Sequence, residues 1–114
     1  MGILHILIIV SGISFLFYGV FYFTSPSMKA EFVRFGLAKF GAITAVFEIL
    51  GGIGLILGLF VPFLLLISSA GLAVLMLFGF ITRLYIKDSV LVSLPAFLFM
   101  LINSYIFLEA ANLL

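Results

Sequence analysis

Residues 41–59 read GAITAVFEILGGIGLILGL, and Glu48 is the one charged side chain in that run. The run is long enough to cross most of a hydrocarbon core about 30 Å thick at roughly 1.5 Å per residue. A carboxylate in such a place is costly unless the rest of the protein accommodates it, so the reading of Glu48 decides the fold. On a helix, Gly41, Thr44, Ala45, Gly51, Gly52 and Leu55 share the face of Glu48, while Ile43, Val46, Leu50, Ile53 and Leu57 take the opposite one. Small residues therefore surround the charge and bulky ones face away. This predicts close backbone approach to another helix on the Glu48 side and lipid on the other. Gly54 and Gly58 add a GxxxG pair, a second surface for helix packing.

The rest of the composition agrees with lipid as the main solvent. Hydrophobic residues make up 67% of the 114, charged residues 8%, and the mean hydropathy is +1.56, which leaves too little polar surface to coat a water-soluble domain. A net charge of +1 from five basic residues in two connections excludes a nucleic-acid partner. Cysteine is absent, which removes thiol nucleophiles, disulfide relays and zinc–thiolate or iron–sulfur sites. His5 is the single histidine and cannot supply the paired ligands of a buried haem. The serines have no histidine beside them in sequence and no carboxylate pair is evident, so acid–base or nucleophilic catalysis by side chains has no support.

Outward from residues 41–59, three more apolar runs complete an all-α integral membrane protein, a single domain over residues 1–114. Spans are expected at 3–23, 40–59, 63–81 and 90–108, arranged as an antiparallel up-down-up-down four-helix bundle. In the first, Ser11, Ser14, Tyr18 and Tyr22 recur by three, four and four and so share a face expected to look inward. Residues 25–38 read as a short amphipathic helix at the membrane interface. Ser25 and Pro26 open it, and Met28, Phe32 and Phe35 form its lipid-facing side. Phe60, Val61 and Pro62 turn the chain between the second and third spans. Pro95 is expected to loosen the start of the fourth.

All five Lys and Arg residues lie in or beside the first and third connections. The positive-inside rule then places residues 24–39 and 82–89 in the cytoplasm and both termini outside, in a cell inner or plasma membrane. Glu48 falls roughly 12 Å below the cytoplasmic boundary. Helical side chains lean toward their own N-terminus, which brings Glu48, Arg83 and Tyr18 to one depth. A Glu48, Arg83 and Tyr18 cluster is the structural expectation, with Thr44 and Tyr22 beside it. The plainer alternative leaves Arg83 in the headgroups, with Glu48 protonated and bonded only to Thr44 or Tyr18.

Residues 36–103 carry a resemblance. It rests on the step from Gly41 to Glu48, the run Glu48-Ile-Leu-Gly-Gly-Ile-Gly-Leu followed by Gly58 and Pro62, the helix Gly71-Leu-Ala-Val-Leu-Met, the polar end at Arg83, then Lys87-Asp88 and Pro95. In these the chain resembles the DoxX family, in its short DoxX-like branch of four-helix membrane proteins. Many members carry a histidine near the end of the third helix, where this chain reads Gly79-Phe-Ile-Thr-Arg83. The resemblance implies quinone-linked oxidoreductase subunits, including those of thiosulfate oxidation, and more distant relatives that act as assembly chaperones or cargo receptors. Redox activity would then be that of a quinone-linked accessory subunit.

Three readings of function follow. In the first, the bundle is an assembly or interaction factor whose packing glycines Gly41, Gly51, Gly52, Gly54 and Gly58 hold a second copy or a membrane-protein partner. In the second, it is an accessory subunit that binds a quinone or another lipophilic ligand near Glu48, Arg83, Tyr18, Tyr22 and Thr44. In the third, Glu48 carries protons in a coupled transporter.

Overall fold

The computed structural model describes residues 2–34, 40–85, 87 and 89–113. The expected positions of Phe35, Gly36, Lys39 and Asp88 lie outside the described residues. Five helices and no strands occur among the described residues: α1 Gly2–Thr24, α2 Pro26–Arg34, α3 Gly41–Leu57, α4 Pro62–Tyr85 and α5 Val90–Leu113. By length and composition, Gly2–Thr24, Pro62–Tyr85 and Ser93–Asn112 are each able to cross a membrane.

Helix boundaries differ from the expected spans in ways the local chemistry explains. α3 has 17 residues, about 25 Å, because Gly58, Leu59 and Phe60 fold into a turn closed by bonds from Gly58 N–H to the Gly54 carbonyl and from Phe60 N–H to the Leu57 carbonyl. Val61 then offers its carbonyl to the N–H groups of Leu64 and Leu65, with Pro62 as the first residue of α4, where its missing N–H costs nothing. Residues 82–85, expected in a loop, continue α4. The Thr82 hydroxyl donates to the Phe78 carbonyl at 2.8 Å, and the helix ends only where Lys87 takes a left-handed φ of 66° and donates its N–H to the Leu84 carbonyl. Pro95 lies inside α5, whose Leu91 carbonyl therefore receives no proline N–H.

α1 packs mainly on α3, α3 on α4 and α4 on α5, while α1 and α5 meet over a narrower seam. Glycine makes the α1–α3 seam close. A Cβ on Gly52 would stand 2.7 Å from the Gly12 carbonyl oxygen, and one on Gly19 would stand 2.8 Å from the Ala45 carbonyl oxygen. The five packing glycines of α3 and its turn divide between two neighbours. Gly41 faces Tyr22 and Gly52 faces Gly12 and Leu16, all on α1; Gly51, Gly54 and Gly58 face Leu72, Ser68 and Leu65 of α4. The stripe Ile43, Val46, Leu50, Ile53 and Leu57 is exposed, as the facial reading of α3 expects.

The inward face of α1 is Ile8, Ser11, Gly12, Phe15, Gly19 and Tyr22. It is set by the glycine contacts with α3, so Tyr18, expected inward, is 42% exposed. Ile8, Leu55, Leu65, Leu72, Ile106 and Ala110 form the solid core together with Phe15. Inside the α1–α5 seam, the Asn103 amide donates to the Ser11 hydroxyl at 3.1 Å and to the Phe99 carbonyl at 2.9 Å, with both side chains fully buried.

Candidate functional site: a cavity beside Glu48

The solid core occupies the end of the helices away from α2; the α2 end is hollow. A cavity of about 400 Å³ opens there. α3 contributes Thr44 and Glu48, and α1 contributes Phe15 and Tyr18. α4 presents Leu75, Met76, Gly79, Thr82 and Arg83 along successive turns, and α5 presents Pro95, Ala96 and Phe99. α2 supplies Met28 and Glu31. Every helix thus takes part, each from its half nearest α2.

Local sequence explains why space remains here. Gly79 has nothing within 4 Å of where a Cβ would stand, so α4 leaves a gap at that turn. Pro95 and Ala96 give α5 two compact residues on the wall of the same cavity. The inner end is closed by Phe15 and Phe99, whose rings meet edge to face at 5.3 Å.

Of the residues expected at a ligand site, Glu48, Arg83, Tyr18 and Thr44 line this one cavity. Tyr22 does not; it is buried against Gly41 on the α1–α3 seam. The expected side-chain bonds are a further difference. Among the described residues Glu48 forms no ion pair with Arg83 and no hydrogen bond with Thr44 or Tyr18; the other three side chains share a cavity wall with Glu48 without bonding it. Half-buried and without an intramolecular partner among the described residues, the carboxylate borders space that a bound group would fill.

Met28 and Glu31 were hidden from sequence reasoning. Met28 reads as lipid-facing from its spacing with Phe32, yet α2 lies so that Met28 and Glu31, three residues apart on one face, border the cavity. Glu31 also accepts hydrogen bonds from Arg34 Nε at 3.1 Å and Nη2 at 2.7 Å, an exposed pair that holds its charge at the mouth. Phe15 and Phe99 had a signal in hindsight: Phe15 lies one helical turn from Tyr18, and Phe99 one turn from Asn103.

Long apolar helices around a cavity with one isolated acid define a helical membrane protein with an internal polar site. Its family follows from comparison: the DoxX-like family model matches residues 6–104, and the chain belongs to the DoxX-like family. No curated protein and no solved structure matches the chain.

Proposed function

We propose that this DoxX-like membrane protein is a single-domain antiparallel four-helix bundle that holds a lipophilic small molecule in the cavity beside Glu48. The observation that carries the reading is the cavity itself, about 400 Å³ with mainly apolar walls and a few polar groups converging on it. Small-molecule sites have this volume and this lining. In an accessory subunit of a membrane oxidoreductase the occupant would be a quinone, as the family resemblance implies; Tyr18, Thr44 and Arg83 are able to donate to its carbonyls.

The bundle part of the reading is supported by the contact register. Gly12 meets Gly52 and Ile56, whereas Gly19 meets Ala45 and Ile49, so advancing along α1 retreats along α3. The exposed apolar stripe of α3 fits lipid, and a 17-residue helix is at the short end of what spans a bilayer. Lys29, Arg34, Arg83 and Lys87 at the cavity end favour that end as cytoplasmic. An assembly role through the α3 glycines draws less support, because those glycines are engaged by α1 and α4 of the same chain.

Two measurements test this. With no native cysteine, Lys29→Cys and Phe60→Cys each place a unique thiol at opposite ends of the bundle. An impermeant maleimide added to intact cells should label only Phe60→Cys; labelling of both or of Lys29→Cys alone would overturn the orientation. For the site, the protein in nanodiscs is titrated with a panel of lipophilic probes: an alkylated benzoquinone, an alkylbenzylammonium and its uncharged isostere. At least one should raise the melting midpoint of the wild type and fail to do so for Gly79→Leu, which fills the cavity where nothing obstructs a side chain. A folded wild type that responds to none of them would end the ligand reading.

A further inference from the structure

We propose that Glu48 makes the cavity selective for lipophilic organic cations, amines or quaternary ammonium groups carried on an apolar body. The inference rests on the ligand reading above and names the class of occupant. It begins from where the charges sit along the cavity. Glu48 lies seven residues into α3 from Gly41, about 10 Å, and the contact of Gly51 with Leu72 one turn further in sets it opposite Leu75 and Met76 of α4. Arg83 is seven residues beyond Met76 on α4, about 10 Å nearer the mouth. Glu31, also at the mouth, is bonded to Arg34. Among the described residues the inner wall therefore presents one carboxylate and no cation.

A carboxylate at membrane depth is stabilised by a counter-charge, and Glu48 has none within the chain among the described residues. A ligand cation supplies it, and the two form a neutral pair in the apolar end. The surroundings favour the same chemistry. Phe15, Tyr18, Phe78 and Phe99 line the cavity, and aromatic faces attract desolvated cations. A quinone, by contrast, brings only acceptors, and an ionised carboxylate also only accepts.

The experiment compares three probes on the protein in nanodiscs by calorimetric titration: N-octyl-N,N-dimethylbenzylammonium, its uncharged carbon isostere and an octyl-substituted benzoquinone. The expected result is that the ammonium binds about tenfold or more tightly than either other probe, that Glu48→Gln removes this preference, and that Glu48→Asp keeps part of it. Unchanged melting midpoints show that both variants fold. Equal or tighter binding of the isostere or the quinone, or an ammonium preference that survives Glu48→Gln, overturns the cation assignment while the ligand site stands. Absence of binding by all three probes overturns both.

Discussion

The two ends of the helices are built from similar residues and packed in opposite ways. At the end away from α2, Ile8, Leu55, Leu65, Leu72 and Ile106 interlock with almost no exposed surface. At the α2 end the same helices surround a cavity whose wall includes Glu48, Arg83, Met76 and Gly79. Since lipid tails are as apolar as leucine, burial alone does not drive helices together in a membrane; close packing and polar links do. The solid end supplies that adhesion, and the hollow end is left free to hold a polar group. The largest expected effect breaks the adhesion. Gly52→Leu pushes a side chain against the Gly12 carbonyl of α1, where backbone stands on both sides, and should cost more than about 3 kcal/mol. Loss of the cooperative unfolding transition in detergent would register it, and a wild-type transition would show that the α1–α3 seam is not closely packed.

Equal truncations at the two ends sharpen the contrast. Leu72→Ala opens a void in the solid core and exposes Gly51 on α3, with an expected loss of about 2–3 kcal/mol. Met76→Ala, one turn along the same helix, removes a half-buried side chain that touches the core on one side and the existing cavity on the other, and should cost about 1 kcal/mol less than Leu72→Ala. Denaturant titration of both in the same detergent measures the difference directly; equal losses would contradict the two-ended picture. The next effect is smaller. The Ser11–Asn103 bond, tested by a double-mutant cycle of Ser11→Ala and Asn103→Ala, should show a coupling of about 1 kcal/mol, in the range found for interhelical polar pairs in membranes.

The sequence carries the solid end more fully than the hollow one. Alternation of small and bulky residues around Glu48 was enough to orient α3, because helix faces follow from spacing alone. Phe60, Val61 and Pro62 mark the turn for a different reason, since proline starts a helix readily and does not continue one. The cavity depends on something spacing does not encode: how α2 lies over the other helices. Met28 looked lipid-facing because its own helix is amphipathic, and nothing in nine residues states which neighbour that face meets. Spacing puts Tyr18 and Tyr22 on one inward face, yet the contacts of Gly12 and Gly19 with α3 rotate α1 so that Tyr22 is buried at the seam and Tyr18 borders the cavity. Side-chain tilt predicts one layer for Glu48 and Arg83, but their helix positions are about 10 Å apart along the axis, and the expected pairing is absent among the described residues.

The smallest effects separate a glycine that shapes the site from one that only happens to be there. Gly71 and Gly79 both lie in α4 with nothing within 4 Å of an added Cβ, so neither is needed for helix contact. Alanine at either position removes backbone freedom from the unfolded chain and should leave stability unchanged or raise it by up to about 1 kcal/mol. Stability therefore does not distinguish them. Only Gly79 borders the cavity. A leucine there takes up space in which a ligand would sit, whereas a leucine at Gly71 does not. Probe binding measured on Gly71→Leu and Gly79→Leu should accordingly be retained in the first and lost in the second, with similar melting midpoints for both. If both bind alike, the gap left by α4 at residue 79 has no part in holding a ligand, and the openness of the α2 end reflects packing alone.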